Sequence, residues 1–360
     1  MQGPLAGYRV VDLTAMITGP QTTVILADQG ADVVKVEPPG LGDVMRHLGT
    51  QRGGMSALFA GFNRNKRSVV VNLREDAGRK IVRRLAAEAD VFVQNFRPGV
   101  IERLGLDEAM LRETRPELVY VSISAFGWEG PMSRRPAYDH IIQGMTGAPW
   151  MQSEAGAERP EYMKTTFCDK ITGYATAQAV TAALLARERG HGGQHLKVTM
   201  LGAALAFLWP DGMTQHTILE EDATVLPPIS AAYRYMETRD GFVSVAAVTD
   251  AQWHGIFRAA GRPELADDPR FATLASRLNH LDELLQELNG GRLELTSAEA
   301  FARFEAEDVP CGPMLRPEEI HAHPQVQALG LLEESQHPVL GRMREPGPPV
   351  GFSQTPASTG

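Results

Sequence analysis

Residues 8–37 read YRVVDLTAMITGPQTTVILADQGADVVKVE, and this stretch decides the fold class. The apolar runs at 8–13 and 32–37 are typical of buried strands, and Pro20 fits the first turn of a helix that continues to about Gln29. A strand, a helix and a second strand in this order predict a parallel βαβ unit.

The same alternation continues outward from this unit. Further strands are predicted at 68–73, 90–94, 119–124 and 196–200, and further helices at 76–89, 108–115 and 171–189. The pattern predicts an α/β fold whose large domain, residues 1–200, has a doubly wound parallel sheet. We expect a linker at 201–225, a smaller α+β domain at 226–325 and a return segment to the large domain at 326–360.

Two short motifs support the smaller α+β domain. Asp240-Gly241 lies between apolar runs and predicts the turn of a hairpin. Thr296-Ser297-Ala298-Glu299 has the spacing of a capping box at the start of a helix.

Composition excludes several classes of protein. The chain has 360 residues and a formal charge of −9, without a long basic run, which argues against nucleic-acid binding. Its two cysteines, Cys168 and Cys311, have no metal-ligand spacing, so we expect no metal site. The N-terminus lacks a signal-peptide pattern, and no apolar run approaches the ~18 residues that span a bilayer. These features predict a cytoplasmic protein without a membrane segment.

The first βαβ unit lacks the features of a nucleotide-binding motif. The loop at 14–20 has one glycine where a dinucleotide-binding loop has three, so NAD is excluded and Glu37 receives a structural or solvent-facing role. Neither a P-loop nor a G-x-S-x-G elbow is present in the sequence.

Two loops that follow predicted strands are candidate ligand sites. In the loop that begins at Asn95, Phe96 fits stacking on a purine, and Arg97 or Arg103 fits pairing with a phosphate. A plain turn with a partly buried Phe explains the same residues equally well. The second loop leads to His140, which is either a general base or a structural residue at a helix start.

Asp169 is the leading candidate for a catalytic residue. It stands directly before the predicted helix at 171–189, where the helix dipole favours a carboxylate in its ionised form. An ionised Asp beside a thioester is a nucleophile that can form a covalent acyl intermediate. Asp is also a common N-cap residue, and the local pattern alone favours a cap.

Taken together, short segments along nearly the whole chain resemble the class III coenzyme A transferase family of the CaiB/BaiF type, which includes formyl-CoA transferase and α-methylacyl-CoA racemase. The matching segments are PLAGYRVVDL at 4–13, GADVVKVEPPG at 30–40, NRNKRS at 63–68, NFRPG at 95–99, FGWEGP at 126–131, Tyr138-Asp139, the Asp169 segment, GGQ at 192–194, Asp240-Gly241, DPRF at 268–271 and VPCGP at 309–313.

The resemblance implies a function and a set of site residues. It implies an interlocked homodimer that takes an acyl-CoA donor and a carboxylic acid acceptor, with coenzyme A as carrier and without metal or NAD. It implies Asp169 as the catalytic nucleophile, which forms an aspartyl–acyl anhydride and then an aspartyl-CoA thioester. The coenzyme A contacts that it implies are Val71, Asn72, Leu73, Arg74, Asn95, Phe96, Arg97, Arg103, Ala137, Tyr138, Asp139 and His140.

Two other functions remain open from the sequence. The racemase branch of the family has Gly-His-Asp where this chain has Ala137-Tyr138-Asp139, and a tyrosine is a poor base near neutral pH. This substitution favours the transferase. A coenzyme A-binding protein without catalysis is the second alternative, and the presence of Asp169 argues against it.

Overall fold

The computed structural model describes residues 3–153, 156–226, 228, 230, 233–288 and 292–359. The chain divides into two compact units, of which the first combines Met1–Pro210 with Gln327–Gly360 and the second is Asp211–Val326. The predicted linker at 201–225 includes most of a helix, Met200–Gly212, so its first half has regular structure.

A six-stranded parallel sheet forms the centre of the first unit. Its strands in chain order are β1 (Arg9–Leu13), β2 (Asp32–Glu37), β3 (Lys66–Val70), β4 (Val91–Gln94), β5 (Val119–Ser124) and β6 (His195–Thr199). The spatial order is β3-β2-β1-β4-β5-β6, so the direction of winding reverses between β1 and β4. This order confirms the predicted α/β class, and ligands of such sheets bind at the carboxyl ends beside the reversal.

Helices cover both faces of the sheet. Helices α1 (Thr18–Asp28) and α8 (Phe167–Ala186) pack on one face, and α3 (Asp76–Ala87), α4 (Val100–Arg103) and α5 (Glu108–Thr114) pack on the other. The other helices of this part of the chain are α2 (Ala57–Asn63), α6 (Asp139–Thr146), α7 (Ala148–Gln152) and α9 (Met200–Gly212). Successive strand residues point to opposite faces. Val91 and Val93 therefore pack in the cluster that includes α8 residues such as Val180, whereas Phe92 packs with Val82 of α3 on the other face.

The second unit is a smaller α+β body with its own core. Antiparallel strands β7 (Arg234–Glu237), β8 (Phe242–Val245) and β9 (Cys311–Pro313) pack with helices α10 (Asp250–Ala259), α11 (Leu274–Asn279), α12 (Leu281–Glu287) and α13 (Ser297–Ala306). The capping box at Thr296 is confirmed by reciprocal hydrogen bonds with Glu299. The segment Gln327–Gly360 belongs to the first unit and contains an antiparallel hairpin of β10 (Leu332–His337) and β11 (Gly341–Pro346), which follows helix α14 (Pro324–Ala328).

Two element boundaries differ from the predictions in the region of the candidate site. Strand β3 ends at Val70, before the predicted end at residue 73, because Asn72 forms a turn in which its side chain accepts from the Arg74 N–H at 3.1 Å. Helix α8 begins at Phe167, four residues before the predicted start, so Asp169 lies inside the first turn. Among the described residues, no helix has the length and apolar character needed to cross a membrane.

Candidate active site

A cavity of about 760 Å³ lies at the carboxyl ends of β1 to β4, beside the point where the sheet reverses direction. This larger cavity is lined by Leu13–Met16, Val36–Pro39, Gly42–Val44, Val71–Arg74, Asn95–Arg97 and Leu104. Its volume falls in the range of roughly 300–1,000 Å³ that is usual for small-molecule sites. The lining includes all four residues predicted at 71–74 and three predicted at 95–97.

The segment at 71–74 is held in place from both sides. The Val71 N–H donates to the Glu37 carbonyl at 2.9 Å, which continues the ladder between β2 and β3. On the other side, a Cβ on Gly78 of α3 would lie 2.0 Å from the Asn72 carbonyl oxygen. Glycine at 78 therefore allows α3 to pack directly against this loop. Arg74 remains exposed at the cavity.

The loop at 95–97 is fixed to the loop that follows β1. The Asn95 side chain accepts from the Ala15 N–H at 3.0 Å and donates to the Ala15 carbonyl at 2.8 Å. The Phe96 N–H donates to the Gln94 side chain at 2.8 Å. These bonds leave the Phe96 ring half-buried and Arg97 exposed.

A second, smaller cavity of about 170 Å³ contains Asp169 and shares Met16 and the loop at 95–97 with the larger one. Its other lining residues are Thr18, Pro98, Ile123–Ala125, Ser133, Arg135, Ala137, Tyr138 and Met200. The shared loop therefore connects the sequence-predicted nucleophile with the segment at 71–74. Arg97 and Arg135 bring positive charge to this wall.

Asp169 does not serve as the N-cap of α8, which was the alternative interpretation of its position. Thr166 is the N-cap residue and makes no capping bond with its side chain. The cap comes instead from α6, where Asp139 accepts from the Asp169 N–H at 2.9 Å. Gln143 donates to the other Asp139 oxygen at 2.7 Å and to the Thr165 carbonyl at 3.0 Å. Asp139 is thus a buried residue that positions the backbone of Asp169.

The Asp169 side chain is hydrogen-bonded to α1. Thr18, the first residue of α1, donates its hydroxyl to Asp169 Oδ1. Thr18 was not predicted as a site residue, because the loop at 14–20 was interpreted as a possible nucleotide-binding loop. Met16 was missed for the same reason, although it lines both cavities and has a left-handed backbone with φ of 67°.

The surroundings of Asp169 disfavour its charged form. Burial raises the pKa of Asp169 to about 6, and the nearby Asp139 carboxylate acts in the same direction. The Thr18 hydrogen bond and the Lys170 ammonium partly oppose this rise. Burial also raises the pKa of the adjacent Cys168 thiol to about 12, so this thiol stays protonated at neutral pH.

Buried ion pairs support the loop after β1. Lys66 pairs with Asp12 at 3.1 Å, and Lys35 pairs with Asp43 at 3.0 Å, with all four side chains nearly inaccessible. Lys35 also donates to the Thr14 carbonyl at 2.9 Å. Breaking a buried pair leaves an uncompensated charge, so removal of one partner would destabilise this region.

Three predicted positions line neither cavity. Arg103 is exposed on α4, Asp139 is buried against Asp169 as described, and His140 is exposed with its ring edge against Tyr162. Ala137 and Tyr138 do line the smaller cavity. Glu37 has a structural role, because it is buried and bonded to Arg46 at 2.7 and 2.8 Å.

Comparisons with known proteins identify the family of the chain. The sequence profile of CoA-transferase family III matches residues 5–360. The chain is 35% identical to the acetyl-CoA:oxalate CoA-transferase of Acetobacter aceti, over 98% of this chain and 90% of that protein. It is 32% identical to the succinyl-CoA:glutarate CoA-transferase of Mus musculus, over 98% and 81%.

A solved structure shows the same fold. The crystal structure of a CAIB/BAIF family protein from Brucella suis is 32% identical and superposes with a TM-score of 0.85, covering 99% of this chain and 96% of that one. Fold, family profile and relatives agree, and the chain belongs to CoA-transferase family III and is an enzyme of this class.

Proposed function

We propose that the protein is an acyl-CoA:carboxylate CoA-transferase in which Asp169 is the nucleophile. The observation that carries the proposal is the position of Asp169 in the smaller cavity, which shares the loop at 95–97 with the larger cavity. A coenzyme A thioester that lies in the larger cavity can pass this loop and bring its acyl carbon to the carboxylate. The family membership supports the transfer of coenzyme A between carboxylates.

The proposed reaction needs only the substrates and the Asp169 carboxylate. One Asp169 oxygen attacks the donor thioester, so that a C–O bond forms, the C–S bond breaks and coenzyme A leaves as thiolate. The thiolate attacks Cγ of the mixed anhydride, which releases the donor acid and leaves an aspartyl-CoA thioester. The acceptor carboxylate then attacks Cγ and displaces the thiolate, which attacks the acceptor acyl carbon and regenerates Asp169.

The residues around both cavities fit the two substrates. Arg74 and Arg97 are exposed at the larger cavity, where guanidinium groups bind phosphate oxygens well. The half-buried ring of Phe96 offers an apolar face for the purine or the pantetheine arm. At the smaller cavity, Arg97 and Arg135 favour an anionic acceptor beside Asp169.

The racemase alternative receives less support from the geometry. A racemase needs a base beside Asp169 to remove the α-proton. His140 is exposed and lines neither cavity, whereas Tyr138, which stands where the racemase branch has its histidine, lines the smaller cavity. Exchange of the α-proton in heavy water without transfer of coenzyme A would favour the racemase.

Trapping the covalent intermediate tests the proposed function. The protein is mixed with formyl-, acetyl- or succinyl-CoA and oxalate or glutarate, quenched with hydroxylamine and mapped by mass spectrometry. We expect a hydroxamate on Asp169 and none in Asp169→Ala. Cys168→Ser is the matched control, because Cys168 is a neighbouring nucleophile but is inaccessible and protonated. A label that persists in Asp169→Ala would contradict the proposal, and binding without turnover would favour the non-catalytic alternative.

The interlocked homodimer and the cytoplasmic location are part of the same proposal. Helix α9 carries large exposed apolar side chains, including Phe207, which a second copy would cover. Light scattering coupled to size-exclusion chromatography should give twice the mass of the chain. A monomer that transfers coenzyme A would contradict the homodimer without affecting the role of Asp169.

A further inference from the structure

We propose that the Thr18 hydroxyl is a catalytic hydrogen-bond donor that holds Asp169 Oδ1 throughout the transfer. This inference rests on the proposed function, because it assigns a role to Thr18 in each attack at the Asp169 carboxyl. In the first step the hydroxyl donates a hydrogen bond to Oδ1, so that Oδ2 is the oxygen that attacks the thioester carbon. In the later steps the same hydroxyl stabilises the negative charge that develops on Oδ1.

The Thr18 side chain is positioned for this role. It is 4% exposed, lines the smaller cavity and donates to Asp169 Oδ1. A threonine hydroxyl has one hydrogen to donate. Among the described residues a second acceptor for this hydroxyl is Met200 Sδ at 3.7 Å, and a thioether is a weak acceptor beside a carboxylate.

This bond makes the two carboxylate oxygens of Asp169 unequal. Within the part of the chain that the structure describes, Thr18 is the side chain that donates to this carboxylate, and it bonds to Oδ1. The lone pairs of Oδ2 therefore remain available for attack on the thioester carbon. Once Oδ2 carries the acyl group, Oδ1 is the carbonyl oxygen on the aspartyl side of the mixed anhydride.

The later steps place charge on the oxygen that Thr18 contacts. When the thiolate attacks Cγ, the C–S bond forms and the carbonyl π electrons move onto Oδ1. The carbonyl then re-forms as the C–O bond to the donor acyl group breaks and the donor carboxylate leaves. Attack by the acceptor carboxylate on the aspartyl-CoA thioester repeats this sequence with thiolate as leaving group. A donor already aimed at such an oxygen stabilises the transition state more than the ground state.

A glycine in α8 allows the contact between α1 and Asp169. Gly173 lies one helical turn after Asp169, on the same face of α8. A Cβ at this position would lie 2.5 Å from Gln21 Cγ and 3.2 Å from the Thr18 carbonyl oxygen. The start of α1 therefore approaches α8 closely because residue 173 has no side chain. Asp139 fixes the other side of Asp169 through its N–H.

Removal of the hydroxyl tests the role of Thr18. Thr18→Val keeps the shape of the side chain, Thr18→Ser keeps the hydroxyl, and Thr22→Val is the matched control. Thr22 is also buried on α1, but its hydroxyl donates to the Thr18 carbonyl at 3.1 Å and the Gly173 carbonyl at 3.4 Å and not to Asp169. We expect Thr18→Val to lower kcat about 10²–10³-fold, the usual effect of losing one oxyanion donor, with KM for the acyl-CoA within twofold.

The serine and control variants separate catalysis from folding. Thr18→Ser should have a kcat within about tenfold of the wild-type value. Thr22→Val should keep the wild-type kcat, even if Thr18→Val and Thr22→Val lower Tm by the same amount. Thr18→Ala serves the same comparison if the valine variant does not fold. Equal losses of kcat in Thr18→Val and Thr22→Val, or no recovery by serine, would overturn the inference and indicate a structural role.

The hydroxylamine experiment distinguishes failure of this inference from failure of the proposed function. Labelling of Asp169 at equal rates in wild type and Thr18→Val, with equal kcat, would overturn the role of Thr18 and leave the transferase mechanism standing. A wild-type protein that transfers coenzyme A without any label on Asp169 would overturn both.

Discussion

The larger and the smaller cavity of the first unit differ in how their polar groups are held. In the larger cavity the two arginine side chains, Arg74 and Arg97, extend from loops and are exposed. In the smaller cavity Asp169 is bonded from α1 by Thr18 and from α6 by Asp139. Exposed groups on loops suit the binding of a flexible anionic ligand, whereas a fixed carboxylate suits a reaction that needs one geometry. Changes in the two cavities should therefore affect different kinetic constants.

Asp169→Asn should have the largest effect. Asn keeps a carbonyl acceptor for Thr18 but cannot attack a thioester, so we expect kcat to fall by about a thousandfold or more. Binding of coenzyme A by calorimetry should stay within about twofold. The raised pKa of Asp169 means that the fold disfavours its charge at neutral pH, so Tm should not fall. A large loss of coenzyme A affinity in Asp169→Asn would show that the two cavities do not act independently in binding and catalysis.

Gly173→Ala should act on the contact between α1 and α8. Alanine favours a helix more than glycine, but its Cβ would press on Gln21 and the Thr18 carbonyl. Overpacking costs about 1–3 kcal/mol, and we expect kcat to fall about tenfold to a hundredfold with little change in KM. Gly61→Ala in α2 is the matched control, since a Cβ there has no neighbour within 4 Å. Equal kcat in Gly173→Ala and Gly61→Ala would argue against the close approach of α1 to α8.

The pH dependence should report Asp169 in the smaller cavity. The nucleophile must be ionised, and its pKa is raised to about 6, so activity is present above this pH and is lost below it. We expect kcat/KM to fall about tenfold for each pH unit on the acid side. Asp139 and Lys170 also act on this pKa, in opposite directions. The Thr18 hydrogen bond lowers the pKa of Asp169, so the acid limb of the pH profile should move to higher pH in Thr18→Val. If the acid limb stays in place, Asp169 is not the group whose titration produces it.

Arg97→Gln should have the smallest effect and tests whether the larger cavity binds the acyl-CoA. Arg97 lines both cavities, whereas Arg103 is exposed on α4 and lines neither. We expect Arg97→Gln to raise KM for the acyl-CoA about fivefold with kcat nearly unchanged, since one exposed charge-assisted hydrogen bond is lost. Arg103→Gln is the control variant. If Arg103→Gln raised KM for the acyl-CoA more than Arg97→Gln does, the predicted coenzyme A contact at Arg103 would be supported.

Several site residues could be predicted because their chemistry lies in short segments. The loops at 71–74 and 95–97 follow strands of a parallel sheet, and ligands gather at such strand ends. The structure places both at the larger cavity. The predicted ends of the strands were less accurate. Apolar residues continue past Val70 at Val71 and Leu73, so the sequence pattern did not indicate the turn at Asn72.

The contacts of Asp169 could not be read from the local sequence. Its helix starts earlier than predicted, because the cap for its N–H comes from Asp139, thirty residues away in α6. Its hydrogen-bond donor, Thr18, is 151 positions away. A propensity rule considers neighbours within one turn, so it identifies neither partner.

The sequence by itself determined the α/β class, the family and the candidate nucleophile, because periodicity and ordered short motifs are properties of neighbouring residues. Only the tertiary structure decided that Thr18 and Asp139 meet at Asp169 and that two cavities share one loop. The physical reason is that helix packing depends on which side chains are small enough for close approach, as Gly173 is. Burial, which results from that packing, then raises the pKa of the carboxylate.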